Sequence, residues 1–111
     1  MPQFMVAIHH PDDFDPAKET QATQADIRAL NIEMREKGVR VFAGGLAPVA
    51  EAKAVRRRGD GLAVSDGPYM ETKEHIGGFW ILECANLDEA VAWGRRAAAA
   101  CRANVEVRAF N

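Results

Sequence analysis

The sequence predicts an α+β fold of the ferredoxin-like type, in which a split βαβ antiparallel sheet carries two helices on one face and an inserted β-hairpin. Two observations lead to this fold class. The patterns follow one another in the order strand, helix, strand, hairpin, strand, helix, strand. The most apolar run, residues 79–84, follows a loop rich in charge, as a central strand would. Because 48% of the 111 residues are hydrophobic, residues 1–111 are predicted to form a single domain.

The first predicted strand, residues 4–9, is rich in β-branched and aromatic side chains. A polar loop over residues 12–20 follows it. A helix then begins near Thr20 or Thr23, either of which can cap free backbone N–H groups, and continues with apolar residues at helical spacing. Its end is predicted at Gly38, because a lysine precedes this glycine and glycine favours the left-handed position after a helix.

Residues 39–43 form the predicted second strand, and Gly44-Gly45 opens a turn where the backbone can approach a ligand closely. Residues 52–57 and 62–65 are the predicted arms of a hairpin. The pair Asp60-Gly61 is expected to supply the positive φ angles of its tight turn. This turn also explains the Arg-Gly-Asp triplet better than an adhesion motif does.

The second half of the chain repeats the strand, helix, strand rhythm. Residues 79–84 are apolar at consecutive positions, which indicates a strand that is covered on both faces. Asn86, with Glu89 three residues later, resembles a capping box, so an alanine-rich helix is predicted over residues 87–102. Residues 105–110 alternate between apolar and other side chains and are predicted to complete the sheet.

With both helices on one face of the sheet, the other face is left bare. Strand alternation assigns Met5, Ala7 and His9 to this bare face, together with one apolar set from residues 79–84. Such a patch is too large for a typical monomer. A homodimer with its two sheets face to face is therefore predicted, with a cleft where the loops meet the sheet.

The charge balance argues against binding to nucleic acid or to a membrane surface. Fourteen Lys and Arg residues face sixteen Asp and Glu residues, and no apolar run approaches membrane-spanning length. The basic run Arg56-Arg57-Arg58 has no interleaved aromatic residues and is interpreted as a solvated strand edge. Cys84 and Cys101 suggest no disulfide framework. A cytoplasmic protein with reduced thiols is expected, since the N-terminal apolar run is too short for a signal peptide.

One stretch resembles the signature of a known family. Residues 65–74, Ser-Asp-Gly-Pro-Tyr-Met-Glu-Thr-Lys-Glu, followed by Gly77-Gly78-Phe79, are similar to those of DGPF-domain proteins in the YCII-related superfamily, with tyrosine in place of the usual phenylalanine. The resemblance implies a dimeric ferredoxin-like α+β barrel. It also implies proximity to genes for extracytoplasmic-function sigma factors, and most members have no established activity. In one branch a His and Asp pair is proposed to do acid–base chemistry, but the corresponding region near Asp26 has no histidine.

Six residues are candidates for a site. Asp66 is held by the glycine and proline after it, and Glu71 and Lys73 form a charge cluster nearby in the sequence. These three residues and the Gly44-Gly45 turn are the predicted ligand-binding residues, and His9 and Asp66 are the predicted catalytic residues. Each has a structural alternative, namely a turn cap for Asp66, a loop anchor for the charge cluster and an interface histidine for His9. His10 and His75 are interpreted as surface or loop residues. No cofactor and no metal site are predicted, because the histidines lack metal-ligand spacing.

Three functions remain open at this point. The first is binding of a small organic ligand in a cleft of the homodimer. The second is an enzyme for proton transfer or elimination, in which His9 or Asp66 is the base and Lys73 stabilises developing negative charge. The third is a non-catalytic interaction module that acts with a sigma factor or another regulatory partner. A pocket beside Asp66 and His9 is expected for the first two functions only.

Overall fold

A computed structural model describes residues 1–111. Six strands and two α-helices alternate along the chain, and two short 3-10 turns lie at Pro16–Lys18 and Val49–Glu51. In chain order the elements are β1 (Gln3–Pro11), α1 (Gln21–Glu36), β2 (Arg40–Gly45), β3 (Lys53–Arg58), β4 (Gly61–Asp66), β5 (Glu74–Glu83), α2 (Leu87–Cys101) and β6 (Asn104–Ala109).

Four of the strands form an antiparallel sheet in the order β2-β5-β1-β6. This is the strand order of a ferredoxin-like fold, so the predicted fold class is confirmed. Alternate residues of β1, Phe4, Val6 and Ile8, are buried in one core cluster with residues of both helices. Both helices therefore cover the same face of the sheet, and the opposite face is open. Neither helix is long and apolar enough to cross a membrane.

The helix ends follow the predicted chemistry. Thr20 caps α1, because its Oγ1 accepts a hydrogen bond from the backbone N–H of Thr23. Gly38 has a φ of 69° directly after that helix, a conformation that glycine adopts without strain. At the start of α2 the Asn86 side chain accepts from the Glu89 N–H at 2.9 Å, while the Glu89 carboxylate accepts from the Ala85 N–H.

Two strands, β2 and β5, extend through glycines beyond their predicted bounds. Gly44 and Gly45 belong to β2 and not to a turn, because they pair with Phe79 and Gly78 of β5. The Leu46 N–H continues the pairing by donating to the Gly77 carbonyl at 2.9 Å. β5 accordingly begins at Glu74, five residues before the predicted apolar start. Ladder hydrogen bonds extend these strands through residues with low strand propensity.

The strands β3 and β4 form a separate two-stranded sheet, here called the arm. The arm gives the chain a radius of gyration of 15.7 Å, whereas a compact domain of this length has about 13 Å. The hairpin was predicted correctly, but its turn was not. The positive φ lies at Gly59, at 56°, and not at the pair Asp60-Gly61. Glycine at the first central position is typical of a type II′ hairpin turn.

Candidate functional site

A cleft of about 610 Å3 lies on the helix-covered side of the sheet, between α1 and the strands β2 and β5. It exists because the core packs α1 mainly against α2 and leaves the sheet edge at β2 without a helix above it. Apolar groups line its floor, and polar and charged side chains stand along its walls. The apolar side chains include Ile8, Ile27, Ile32, Ala43, Trp80 and Cys101.

An amide side chain organises one end of this cleft. The Asn31 Oδ1 accepts two hydrogen bonds, from the Trp80 indole N–H at 2.9 Å and from the Arg40 Nε–H at 3.1 Å. The Asn31 amide nitrogen donates to the Ile27 carbonyl one turn earlier in α1. With both ends of the amide bonded, its orientation is determined, and so are those of the indole and the guanidinium.

His10 lies at the other end of the cleft. Its ring stacks on Phe14 with the centroids 3.7 Å apart and the planes only 8° from parallel. Burial lowers the pKa of His10, and the nearby Glu19 carboxylate opposes that shift. His10 also lies against the backbone of Gly77, where a Cβ would collide with its ring. A neutral imidazole is thus held at this end, beside an acidic side chain.

A second cavity of about 510 Å3 adjoins the cleft. The two share His10, Glu19, Gly45 and Gly77 in their walls. The second cavity is also lined by His75 and Asp12, whose side chains are in polar contact with Nε2 and Oδ1 2.7 Å apart. The His75 side chain is only 16% exposed, whereas the Asp12 side chain is 56% exposed, so the imidazole is shielded and the carboxylate is open to solvent.

A β-bulge brings His75 to this position. In the pairing of β1 with β5, Ile8 lies opposite Gly78 and His9 opposite Ile76, so Gly77 is the extra residue. Strict alternation counted back from Trp80 would place His75 on the open face. The extra residue instead puts His75 opposite His10, on the side of the cleft.

The cleft has little nucleophilic or metal-binding character of its own. Burial raises the pKa of Cys101 to about 11, and the Glu19 carboxylate contributes to the increase, so its thiol is protonated at neutral pH. No three His, Cys, Asp or Glu side chains come together in a group that could hold a metal ion. Imidazoles, carboxylates and guanidiniums are therefore the groups available for chemistry here.

Only two of the predicted site residues line this cleft, and they are Gly44 and Gly45. His9 lies on the open face of the sheet, as strand alternation predicts. Its Nε2 is 3.9 Å from the Glu106 carboxylate of the neighbouring strand β6. The sheet thus separates His9 from His10 although they are consecutive in the chain.

The predicted charge cluster lies outside the cleft as well. Asp66 is at the base of the arm, where it forms an ion pair with Lys53, its cross-strand partner. Glu71 and Lys73 are exposed in the loop between β4 and β5. The Lys73 carbonyl accepts a hydrogen bond from the Asp12 N–H at 2.9 Å, so this loop is tied through its backbone to the end of β1. A role for these residues stays a prediction.

The residues that define the cleft are not among the site residues predicted from the sequence. His10 and His75 were assigned to the surface, yet both lie in strands and line cavities. For His10 the same alternation that buries Val6 and Ile8 was a usable indication. The sequence contains no comparable indication for Asn31 or Arg40, because an asparagine in a helix and an arginine at the start of a strand are both common.

Comparison with known proteins places this fold in a family. The family model for the YCII-related domain matches residues 1–111. The chain is also similar to an uncharacterized protein of Rhizobium meliloti (strain 1021), with 33% identity over 78 residues. That match covers 70% of this chain and 63% of the relative, so it spans less than two thirds of the relative's length. On the match over all 111 residues, the chain belongs to the YCII-related domain family.

Proposed function

We propose that this protein binds a small organic molecule in the cleft between α1 and the strands β2 and β5. The observation that supports this is the cleft itself. Its volume of about 610 Å3 lies within the roughly 300–1,000 Å3 typical of ligand sites. It also has the usual composition of such sites, with an apolar floor and a few oriented polar groups.

A substitution that fills the cleft tests the proposal. A Cβ at Gly45 meets no atom within 4 Å, so Gly45→Val is expected to fold normally while its side chain occupies space that a ligand needs. Ala109→Val, on the opposite edge strand β6 and outside the cleft, is the matched control. In a thermal-shift screen of a fragment library, fragments should raise the melting temperature of wild type and of the control but not of Gly45→Val. Equal shifts in all three proteins would contradict the proposal.

We also propose that a second copy of the chain covers the open face and the arm. The open face is apolar at its centre, where Phe42 and Phe79 pack with ring centroids 5.8 Å apart. The arm leaves Val55, Leu62 and Val64 exposed, and an isolated two-stranded hairpin is marginally stable in water. Removing the apolar area of both surfaces from water lowers the free energy. A self-complementary contact between two copies of a chain is the commonest arrangement that buries such surfaces.

The mass of the protein in solution tests this arrangement. Phe42 is 50% exposed and lies on the open face, so Phe42→Lys is expected to convert a dimer into a monomer without loss of the core. Val91→Lys, at an exposed position on α2, is the control and should remain dimeric. Light scattering coupled to size exclusion gives the masses. A wild-type monomer would contradict the homodimer and leave the open face for a different partner, such as a sigma factor.

A second candidate function is acid–base catalysis, and the His75–Asp12 pair favours it. A carboxylate oxygen 2.7 Å from the imidazole Nε2 orients the ring, and a general base must be held in a fixed orientation. The pair lines a cavity that continues into the cleft, where a ligand's acidic C–H could reach it. The catalytic pair would then be His75 and Asp12 in place of His9 and Asp66.

Hydrogen exchange at carbon tests this chemistry without a known substrate. In D2O, a C–H of at least one compound in a panel of small ketones and lactones should exchange for deuterium faster with the wild-type protein present than in buffer alone. Proton NMR follows this rate. His75→Gln is expected to abolish the acceleration, and His9→Gln, on the other face of the sheet, is expected to keep it. Loss of exchange in His9→Gln alone would restore the original candidate base.

A further inference from the structure

We propose that the cleft selects organic anions, and carboxylates in particular, with Arg40 as the residue that binds the carboxylate. This inference deepens the proposed function and rests on it, because it names the chemical class of the ligand. Three arginines, Arg28, Arg35 and Arg40, line the cleft, and their guanidinium groups have no protein carboxylate within 4.0 Å.

Two arginines outside the cleft are paired with carboxylates, whereas Arg95 of α2 is unpaired like the arginines of the cleft. Arg96 pairs with Glu33, and Arg102 pairs with Asp26 at 3.1 Å, so both of these charges are compensated within the protein. In the cleft three unpaired arginines line one cavity, and the carboxylate of Glu19 lies at the other end of it. An anionic ligand would supply the missing counterion, and guanidinium binds carboxylate more strongly than it binds neutral groups.

Arg40 is the best placed of the three. It is half-buried at the start of β2, and its Nε–H is occupied by Asn31, which the Trp80 indole also holds. The two terminal Nη groups make no hydrogen bond to the protein, and Arg40 is one of the residues that line the cleft. A guanidinium fixed at Nε offers its remaining N–H groups as a planar pair, which matches the two oxygens of a carboxylate.

The charges along the cleft also give the ligand a direction. Because α1 runs antiparallel to β1 and β2, Arg35 and Arg40 lie at one end of the cleft, and Glu19 and His10 lie at the other. The helix from Gln24 to Arg35 covers about 16 Å between these ends. A carboxylate is attracted to the arginine end and repelled from Glu19, so the apolar body of the ligand points towards His10.

Two tryptophans make this testable without knowledge of the natural ligand. The Trp80 indole N–H lies in the cleft, bonded to Asn31, whereas Trp93 is in the core and lines no cavity described here. In nitrogen–proton correlation spectra of 15N-labelled protein, benzoate should shift the Trp80 indole peak and leave that of Trp93 unchanged. Benzamide, which has the same shape without the charge, should bind about tenfold more weakly.

Substitutions then identify the residue responsible. Arg40→Gln should make the two affinities equal, while Arg57→Gln, which removes the same charge from the arm, should leave the tenfold preference in place. Arg35→Gln leaves the Asn31 hydrogen bonds intact and should weaken benzoate binding alone, so it serves if Arg40→Gln fails to fold. The Trp93 peak reports whether each variant is folded.

The possible outcomes separate the two proposals. Equal titration of Trp80 by benzoate and benzamide in wild-type protein would overturn the anion preference and leave the ligand-binding cleft standing. Titration by neither probe at saturating concentration would overturn both proposals. A benzoate preference that survives in folded Arg40→Gln would overturn the assignment of the carboxylate to Arg40, and one that survives in Arg35→Gln as well would overturn its assignment to this end of the cleft.

Discussion

The two faces of the four-stranded sheet have the same strands but different chemistry. On the helix side, Trp80 and Asn31 belong to a hydrogen-bonded network above a cleft. On the open side, Phe42, Phe79 and Ile81 of the neighbouring strands β2 and β5 form an apolar surface. Oriented polar groups in a concavity are suited to a small molecule, whereas an open apolar surface is suited to another protein surface.

Alternation along one strand places neighbouring residues in two different environments. Neighbouring residues of β5, Ile81 and Leu82, are in different environments although both are large aliphatics. Leu82 is fully buried beneath the helices, and Ile81 is half-buried on the open face. Substitutions at such neighbours therefore separate the stability of the monomer from the stability of an assembly.

The largest expected effect comes from this pair. Leu82→Ala should lower the free energy of unfolding by about 3 kcal/mol at every protein concentration, because it leaves a cavity in the core. Ile81→Ala should cost about 1 kcal/mol in dilute protein and, if the proposed homodimer forms, more in concentrated protein. Urea unfolding at two protein concentrations measures both. A cost for Ile81→Ala that does not depend on concentration would contradict the covered face.

The second prediction concerns the floor of the cleft. With its pKa raised to about 11, the Cys101 thiol should react with iodoacetamide at pH 8 roughly 100-fold more slowly than a free cysteine. Burial also raises the pKa of Cys84, so neither thiol should label in the folded protein. Mass spectrometry of native and urea-unfolded samples gives the two rates. Rapid labelling of native Cys101 would show that the cleft floor is open to water.

A smaller effect is expected at His10. Since burial lowers its pKa, the folded state holds fewer protons than the unfolded state just below the ordinary value of 6.5. The folded state therefore loses stability relative to the unfolded state as the pH falls from about 6.5 through the lowered pKa of His10. His10→Gln should remove this loss, so thermal unfolding should show wild type declining more steeply with acid than the variant. Parallel declines would contradict the burial of a neutral imidazole.

The smallest effect is expected at Asp66. Its ion pair with Lys53 is exposed on the arm, with 84% of the Asp66 side chain open to solvent. Asp66→Asn should change the free energy of unfolding by less than about 0.5 kcal/mol and leave binding in the cleft unchanged. Calorimetry and the benzoate titration measure the two quantities. A loss of binding would return Asp66 to the site that its sequence context suggested.

The sequence allowed the fold to be predicted because its local features are strong and agree with one another. Thr20 and Asn86 are typical N-cap residues, and Gly38 is typical of the position after a helix. The structure places all three at helix ends. Strand order followed from the sequence of elements. The extent of β2 and β5 did not, since Gly44 and Gly45 join a strand only through pairing with a distant segment.

The site was less predictable for a physical reason. Its residues are brought together by tertiary packing, as when Asn31 of α1 meets Trp80, 49 positions further along the chain. The loop around Glu71 has several ionisable groups in a short stretch of sequence. Residues that are close in the sequence need not form a site in the folded protein. Cleft residues such as Arg40 have no distinctive neighbours in the sequence.

The β-bulge at Gly77 has a consequence for how this strand can change in evolution. Gly77 has no partner in β1, so it does not take part in the alternation of side chains between the two faces. Trp80 pairs with Val6, and His75 pairs with His10, on either side of this bulge. A one-codon deletion here would keep each side chain on its present face. One codon lost a few residues later would turn the first part of β5 over and move His75 away from Asp12. Within β5, tolerance to a change in length is thus concentrated at a single glycine.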